Sequence, residues 1–447
     1  MNNPILNGVM GLVVGDALGV PVEFKDRESL KQDPVTNMRG YGTYNQPPGT
    51  WSDDSSMTLA LLESLKDGLD YKDIMDKFIS WYDKGEYTPY GKMFDIGIAT
   101  RQALSRYKNG LAALECGGKN EYDNGNGSLM RILPILFYLQ AKFGSEFLDK
   151  DEAFEIIHNV SGLTHAHKRS QIACGIYLLI GSYVMTGMGL NSAIDSAIYS
   201  AIKYYREKEG FKDELKHFNR IQDKNFKNLS EDKIKSGGYV VDTLEASIWC
   251  LLNTDNYISC VLKAVNLGGD TDTTGAIVGG LAGLRYGYES IPKEWIMSIV
   301  RREDIEKMCN DLYISLTKTS TEKLLLYIPY FEDIRGKDIC TWTGGGKNPD
   351  GIITFAYPSY DDKLSEFVDD FYKTNLMAYG YLDIINEVVP DMRLIDEYID
   401  SADFELLKAI LTGYIRQERF NEGLWEDAAS QGIFLKILYR LRELVKE

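Results

Sequence analysis

Apolar side chains recur at helical spacing through most of the chain. Clear examples are the runs Met57-Leu61-Leu65 and Leu244-Ile248-Leu251. Steps of three and four residues place such side chains on one face of an α-helix. Convincing alternation of apolar and polar residues, which would indicate strands, is absent up to about Ile328. The pattern therefore predicts helices throughout this part of the chain.

One predicted helix is unusually rich in small residues. It follows Thr274 and contains Gly275, Ala276, Gly279, Gly280, Ala282 and Gly283. Each glycine costs a helix about 1 kcal/mol relative to alanine, so this run indicates a backbone that its neighbours approach closely. We expect a central helix that passes beneath a functional site.

Two apolar stretches raise the question of membrane insertion. Residues 5–22 carry Asp16 in the middle and have no Lys or Arg before them, which argues against a signal peptide. Residues 172–190 are uncharged and long enough to span a bilayer, but glycine and hydroxyl residues interrupt them and no second span accompanies them. We therefore expect no membrane contact and interpret the second stretch as a buried helix that breaks near Gly187.

The pattern changes between Tyr327 and Tyr360, where turn-forming residues cluster around 344–346 and 348–351. The flanking segments Ile339–Trp342 and Ile352–Tyr357 are predicted to pair as a hairpin. Amphipathic helices are predicted at Lys363–Met377, Phe404–Arg416 and Ile433–Val445. We predict two domains: residues 1–328, and a small, mainly helical domain with a short hairpin at residues 337–447.

Composition and charge narrow the class of protein. At 447 residues the chain is too long for one compact core, and 44% hydrophobic residues suffice for a globular fold. A net charge of −17 argues against a general nucleic-acid-binding surface. The six cysteines are scattered without a C-x-x-C pair, which favours free thiols in a reducing cytosol over disulfides or zinc. We therefore expect a cytoplasmic protein.

Two acidic clusters are the main candidates for chemistry: Ser52-Asp53-Asp54-Ser55 and Asp270-Thr271-Asp272-Thr273-Thr274. Taken singly, the first is typical of a helix N-terminus, and the second of a solvated loop. Together they offer four carboxylates and several hydroxyls, with no His or Cys nearby. Oxygen ligands of this kind suit Mg²⁺ or Mn²⁺ rather than zinc. If folding brings the clusters together, they can form a site for two metal ions.

A glycine-rich segment, residues 123–131, precedes the apolar run 132–139. Glycines let backbone amides turn toward a ligand, and a following helix start adds positive potential, so the segment could cradle a phosphate. An ordinary tight turn is the alternative. It is not a Walker loop, because no G-K-[ST] closes it.

Three further side chains could belong to the functional site. Asp16 and Glu23 are acids inside an apolar segment, where unpaired carboxylates are rare. Asp16 is better explained as a brace for a backbone turn, whereas Glu23 lies at the segment's exit and could reach a pocket. His165 either contacts a phosphate or ribose or is a structural histidine.

Five motifs connect these elements. They are G-D-A-L-G-V-P-V-E-F (15–24), W-S-D-D-S-S-M (51–57), G-N-G-S-L-M-R (125–131), T-H-A (164–166) and G-G-D-T-D-T-T-G (268–275). By these motifs and their order, residues 1 to about 300 resemble the ADP-ribosylglycohydrolase family, especially its bacterial dinitrogenase reductase-activating branch, which removes ADP-ribose from arginine.

The resemblance implies an all-α fold and a centre of two Mg²⁺ or Mn²⁺ ions. By motif position the metal ligands would be Ser52, Asp53, Asp54, Asp270, Asp272 and Thr273. The residues that bind ADP-ribose would be Asn124, Gly125, Asn126, Gly127, Ser128 and His165, with Gly125 to Ser128 at the diphosphate. Ser52 and Ser55 stand where other members often carry threonine, and a serine hydroxyl preserves ligation.

The acid/base residue stays open between two carboxylates. Cleaving the bond between C1″ of the distal ribose and a protein side chain builds positive charge at that carbon. Glu23 or Asp95 could help water attack or carry the proton to the leaving group. Asp95 matches the position of an acid that faces the scissile bond in the arginine-specific branch; a helix-surface acid is the alternative there.

The resemblance thus implies metal-dependent hydrolysis of the bond between ADP-ribose and a protein side chain, with arginine as the expected linkage. One alternative is a module that binds ADP-ribose, or sequesters an ADP-ribosylating partner, without turnover. Another is a hydrolase of a free ADP-ribose derivative. The intact ligand set favours an enzyme over the first, and nothing in the sequence excludes the second.

The C-terminal region lies outside this resemblance. Its segments 344–360 and 415–423 resemble a small bacterial domain of unknown function. Residues 337–447 carry 21 acidic and 12 basic side chains, about half of the chain's acidic excess, and no compact catalytic or metal cluster. The acidic surface and the aromatic residues suggest that this domain binds another protein.

Overall fold

The computed structural model describes residues 3–334, 336–347, 355–391 and 394–446. Nearly all regular structure in these residues is helical, which confirms the predicted all-α fold. The helices of the first three hundred or so residues are α1 (Pro4–Gly19), α2 (Arg27–Gln32), α3 (Asp53–Leu65), α4 (Tyr71–Lys84), α5 (Ile98–Lys108), α6 (Leu133–Phe143), α7 (Asp151–Gly162), α8 (Lys168–Met185), α9 (Leu190–Arg206), α10 (Val240–Leu252), α11 (Tyr257–Val265), α12 (Thr271–Tyr286), α13 (Lys293–Ser298) and α14 (Arg302–Leu325).

The rest of the chain adds shorter helices and one hairpin. The helices are α15 (Ile328–Glu332), α16 (Asp362–Tyr372), α17 (Tyr381–Val388), α18 (Ile395–Tyr398), α19 (Phe404–Gln417), α20 (Leu424–Ser430) and α21 (Ile433–Lys446). Strands β1 (Cys340–Thr343) and β2 (Tyr357–Tyr360) pair antiparallel, with Cys340 opposite Tyr360.

The structure forms two compact units, the larger made of residues 3–138 and 148–315. The smaller unit comprises 139–147 and the described residues from 316 onward. It has its own apolar core, in which the side chains of Phe367, Phe434 and Leu438 are fully buried. The division into domains 1–328 and 337–447 remains a prediction about independently folding parts.

The predicted hairpin is present, but its second strand was placed too early. The strand begins at Tyr357, where the predicted one ends, while Ile352 to Thr354 lie outside the described residues. The Tyr360 hydroxyl bonds the Glu418 carboxylate, which fixes the later segment as the strand. Helix α16 also ends earlier than predicted, at Tyr372, and the carbonyl of Phe371 accepts from both the hydroxyl (2.7 Å) and the backbone amide (3.1 Å) of Thr374 in a closing turn.

Helix α1 packs directly against α12, the glycine-rich helix. A Cβ atom on Gly15 would lie only 2.0 Å from the carbonyl oxygen of Gly275, and one on Gly279 would lie 2.2 Å from that of Gly11. The two backbones therefore touch, as the run of small residues predicted. This contact positions Asp16 of α1 and Asp272 of α12.

Replacing Gly15 with alanine is expected to destabilise the protein. The added methyl group meets backbone atoms that cannot rotate away, so we expect a loss at or above the usual overpacking range of about 1–3 kcal/mol. Thermal or urea unfolding measures it. Gly189→Ala is the matched control, since a Cβ there meets nothing within 4 Å. Equal stability of the two variants would contradict the close contact.

The two apolar stretches belong to the interior of the larger unit. The segment Pro4–Val22 is long and apolar enough to cross a membrane by length and composition, yet 89% of its apolar window is buried. Helix α8 is likewise buried along almost its whole length and ends at Met185, with Gly187 following at φ +78°. This agrees with the predicted break near Gly187.

Candidate active site

Asp16 braces the start of helix α3. Its fully buried carboxylate accepts hydrogen bonds from the backbone amides of Ser52 (3.0 Å) and Ser55 (3.1 Å), and from the Ser55 hydroxyl at 2.5 Å. The amides at a helix N-terminus lack partners within the helix, and Asp16 supplies one from α1. It therefore fixes the first acidic cluster in place, in agreement with the expected bracing role.

The first cluster forms the N-terminal turn of α3. Ser52 is the N-cap residue, and its hydroxyl lies 3.0 Å from Oδ2 of Asp54. Asp53 and Asp54 are both buried, at 7% and 1% exposure. Carboxylates in this position are favoured by the helix dipole, but a dipole alone does not account for their burial.

The second cluster forms the N-terminal turn of α12 and meets the first. The Thr273 hydroxyl lies 3.3 Å from Oδ2 of Asp54. Asp270 is the N-cap residue of α12, and Asp272 is 1% exposed with its Oδ1 accepting from the Thr273 amide at 2.9 Å. The structure thus brings together residues that are more than two hundred positions apart in the chain.

The glycine-rich segment lies against the second cluster. Asn126 donates from Nδ2 to Oδ2 of Asp270 at 2.8 Å and to the Thr243 hydroxyl at 3.0 Å. The backbone amide of Asn126 donates to the carbonyl of Gly238 at 3.1 Å. Asn126, expected to bind ADP-ribose, therefore also orients an acidic side chain.

The other side chains of this segment are occupied within the fold. Asn124 accepts a hydrogen bond from the Ser170 hydroxyl at 3.0 Å, and the fully buried Ser128 hydroxyl accepts one from Ser161 at 3.0 Å. Arg131 is also fully buried; it donates to the carbonyl of Gly127 and, at 3.2 Å, to that of Val160. A ligand would therefore meet the backbone of this segment rather than the side chains of Asn124 or Ser128.

His165 lies beside the same backbone. Its Nδ1 is 2.8 Å from the Thr164 hydroxyl, and a Cβ atom on Gly127 would come within 2.9 Å of its Cε1. Burial, and then the positive charge of Arg131, lowers the pKa of His165 to about 3. The imidazole is therefore neutral at physiological pH and can act as a hydrogen-bonding group but not as a cation.

Glu23 and Asp95 lie next to Asp272. Ligand oxygens of the three carboxylates are all within 4.8 Å of one another, so the two acid/base candidates are neighbours. The Tyr44 hydroxyl lies close enough to Glu23 and Asp95 to favour the ionised form of both carboxyl groups. Sequence reasoning missed Tyr44, although the glycine-flanked aromatic pair in G-Y-G-T-Y (40–44) was a possible signal.

The concentrated negative charge opposes ionisation of these groups. Burial, followed by the charge of Asp95, raises the pKa of Glu23 to about 8. Burial also raises the pKa values of Asp53, Asp54 and Asp272 well above the usual 3.8. Without a cation the cluster would have to hold protons, which is the expected behaviour of crowded buried carboxylates.

The donor set fits divalent cations. Among the described residues, Oε2 of Glu23, Oδ1 of Asp54 and Oδ1 of Asp270 are buried oxygens without a hydrogen-bond partner. Unpaired buried oxygens of this kind are costly, and carboxylate and hydroxyl oxygens are the ligands that Mg²⁺ and Mn²⁺ accept.

The metal-free protein is expected to lose stability as the pH rises from about 5 to 8. Folding raises the pKa of Glu23 from 4.5 to about 8 and that of Asp16 from 3.8 to about 6. In that window the folded state retains protons that the unfolded state has released, so raising the pH favours unfolding. Melting temperatures in chelator across this range measure the effect. Glu23→Gln should flatten the slope, and an unchanged slope would contradict the assignment.

Comparison with known proteins agrees with this geometry. Residues 2–322 match the model of the ADP-ribosylglycohydrolase family, and residues 316–447 match a family of unknown function (DUF6508). The ADP-ribosylarginine hydrolase Tri1 of Serratia proteamaculans is 33% identical over 309 residues, which cover 68% of this chain and 77% of that protein. The ADP-ribosyl-[dinitrogen reductase] glycohydrolase of Rhodospirillum rubrum is 31% identical over 298 residues, covering 66% and 89%.

A solved structure, described as an ADP-ribosylglycohydrolase-related protein complex, has the same fold. It superposes with a TM-score of 0.56 at 30% identity and covers 70% of this chain and 98% of its own. The family match spans most of the chain and includes both acidic clusters. The chain therefore belongs to the ADP-ribosylglycohydrolase family and is a hydrolase of glycosyl bonds.

Proposed function

We propose that the protein removes ADP-ribose from arginine side chains of modified proteins and depends on two Mg²⁺ or Mn²⁺ ions. The observation that carries the proposal is the meeting of the two acidic clusters at Asp54 and Thr273, where buried carboxylate oxygens of Asp54 and Asp270 have no hydrogen-bond partner among the described residues. Similarity to an ADP-ribosylarginine hydrolase and to a dinitrogen reductase glycohydrolase supports the choice of arginine.

In this proposal the metals are held by residues of both helix N-termini. The ligands are Ser52, Asp53, Asp54, Asp270, Asp272 and Thr273. When bound, the cations supply positive charge that offsets the carboxylates and orients the hydroxyls of the distal ribose. Asn126 holds Asp270, and Asp16 holds the start of α3, so each ligand-bearing turn is braced by a neighbouring segment.

The ADP-ribose is bound by the glycine-rich segment and His165. The backbone amides of Gly125, Gly127 and Ser128 would donate to the diphosphate, since that of Asn126 is bound to the carbonyl of Gly238, and the neutral His165 would contribute a hydrogen bond. Because Gly127 has no side chain, its backbone can lie directly against the imidazole of His165. The side chains of Asn124 and Ser128 support the segment through their own hydrogen bonds.

In this proposal Glu23 and Asp95 are the candidates for transferring a proton from the attacking water to the leaving group. In hydrolysis the bond between C1″ and the guanidine nitrogen breaks, and a bond from C1″ to the oxygen of water forms. The proton that water loses passes to one of these carboxylates and then to the departing nitrogen, so the arginine leaves as guanidinium. Tyr44, whose hydroxyl lies near both carboxyl groups, favours their ionised forms.

A panel of defined substrates tests the proposal. The protein is incubated in Mg²⁺ or Mn²⁺ with ADP-ribose linked to arginine, to serine and to a nucleobase, and released ADP-ribose is measured. We expect release from the arginine linkage. Release from only another linkage would overturn the choice of arginine, and no release from any would overturn the proposed activity.

We also propose that residues 337–447 form an accessory domain that binds another protein. Its support is the acidic excess and the absence of a further compact cluster of metal-binding side chains among the described residues of this region. Affinity capture from a bacterial lysate, followed by direct binding of the purified partner to this region, tests it. A captured protein that binds equally well without this region would overturn it.

A further inference from the structure

An aromatic rim borders the two candidate acid/base residues. We use this term for the rings of Phe24, Tyr44 and Phe94. The Tyr44 ring centroid is 5.1 Å from that of Phe94 and 6.4 Å from that of Phe24. Phe24 directly follows Glu23 and Phe94 directly precedes Asp95 in the chain. The rim and the two carboxyl groups are therefore built from the same two segments, which Tyr44 connects.

The backbone beneath the rim is held in an unfavourable conformation. Phe24 has φ +64°, and Tyr41 and Asn45, on either side of Tyr44, have φ +61° and +53°. Positive φ is costly for residues with a side chain, above all bulky ones, and persists where the surroundings enforce it, commonly at functional sites. At Phe24 this conformation presents an aromatic side chain to solvent, although glycine would adopt the same backbone angles with less strain.

Hydrogen bonds from neighbouring segments enforce this conformation. The Phe24 amide donates to the carbonyl of Gly269 at 2.7 Å, one residue before Asp270. Thr43 donates from its amide to Pro21 at 3.0 Å and from its hydroxyl to the carbonyl of Glu23 at 2.7 Å. The rim is thus fixed to the acidic centre rather than loosely placed beside it.

The faces of the rim are available to a ligand. The Phe24 side chain is 70% exposed, unusual for a phenylalanine beside a buried acid. Lysine and arginine side chains cover several other rings of the described chain, but none covers Phe24, Tyr44 or Phe94. A cation from outside the chain can therefore reach the exposed Phe24 ring, at the edge of the half-buried Tyr44 and Phe94.

The charge at the rim favours a cationic ligand. In the proposed centre the four aspartates at positions 53, 54, 270 and 272 offset two divalent cations. Asp16 is satisfied by the amides of α3. Glu23 and Asp95 are the remaining carboxyl groups and adjoin Phe24 and Phe94 in the chain, and a cation bound beside them would favour their ionised forms. Carboxylates combined with aromatic faces are the two features that bind a guanidinium, through ion pairing and cation–π contact.

We propose that the aromatic rim recognises the guanidinium group of ADP-ribosylated arginine, with Phe24 as a specificity-determining residue and Glu23 and Asp95 as the ionic partners. This inference rests on the proposed function and names what selects its substrate. The rim binds the side chain that leaves, while the metal ligands and the glycine-rich segment bind ADP-ribose. The two parts of the substrate are therefore recognised by different residues.

Steady-state kinetics on ADP-ribosylarginine tests the inference with Phe24→Leu. Leucine keeps the apolar volume and the same backbone strain but has no π face. We expect the KM for ADP-ribosylarginine to rise about 3- to 30-fold, the range of a cation–π contact, while the inhibition constant of free ADP-ribose, which lacks the guanidinium, stays within about twofold. Phe24→Tyr should keep the wild-type KM.

Controls separate the possible outcomes. Tyr199→Leu removes an equally exposed ring (72%) from helix α9 and should leave the KM unchanged. An unchanged KM in Phe24→Leu would overturn the inference. So would a rise in KM that is matched by an equal rise in the inhibition constant of free ADP-ribose. Both of these outcomes leave the proposed function standing as long as the wild-type protein hydrolyses ADP-ribosylarginine. If the wild-type protein does not hydrolyse it, the proposed function itself is wrong.

Discussion

Exchanging Asp272 for asparagine is expected to reduce hydrolysis of ADP-ribosylarginine by about 10²- to 10³-fold, the scale on which a main electrostatic contact to the transition state contributes. Asparagine keeps the shape of the side chain, and its oxygen can still accept the Thr273 amide now bound at 2.9 Å. It loses the negative charge that offsets the charge of the bound cations. Asp54→Asn should behave in the same way.

The fold should survive these exchanges, which distinguishes loss of a ligand from loss of structure. Burial and neighbouring acids raise the pKa values of Asp54 and Asp272, so removing either charge relieves repulsion in the metal-free protein. We expect both metal-free variants to melt at or above the wild-type temperature. Asp195→Asn, an exposed acid on α9, is the control and should keep full activity. Full turnover in both site variants would refute the proposed ligand set.

Adding Mg²⁺ to metal-stripped protein is expected to raise its melting temperature by about 5–10 °C at a hundredfold excess over the dissociation constant. The stabilisation arises because cations bind only where folding has assembled the two acidic clusters. They also offset the charge that otherwise forces protonation of buried carboxylates. Differential scanning calorimetry with and without chelator measures the shift.

The same titration in the variants locates the metal. In Asp54→Asn and Asp272→Asn the rise should shrink to about 2 °C or less, since each variant removes one ligand from the proposed set. Asp195→Asn should show the full rise. An equal Mg²⁺ response in all proteins would place the cation elsewhere and contradict the centre, even if the activity of the variants were lost.

Local structure was largely predictable from the residues. The apolar runs Met57-Leu61-Leu65 and Leu244-Ile248-Leu251 predicted helices, which the structure contains as α3 and α10, and in the C-terminal region α19 and α21 begin and end within about one residue of the prediction. These features depend on the period of an α-helix, which can be recognised from residues three and four positions apart. Short helices such as α17 and α20 were missed, because one or two turns carry too little periodic signal.

Two features of the site could also be anticipated. The glycines of α12 required close backbone approach, and the acids at residues 53–54 and 270–272 required a compensating partner. The recurring order of five motifs tied these features to one family. Residue types and their order along the chain were sufficient for this.

The sequence by itself determined the helices, the acidic clusters and the family, because each depends on residue type and local spacing. Only the tertiary structure decided which groups meet: Asp54 with Thr273, Asn126 with Asp270, and Tyr44 with both Glu23 and Asp95. These pairs are separated by 21 or more positions in the chain. The glycines of α12 predicted a close contact but not that α1 makes it, and no local pattern predicted the strained loop around Tyr44, because both depend on segments far apart in the chain.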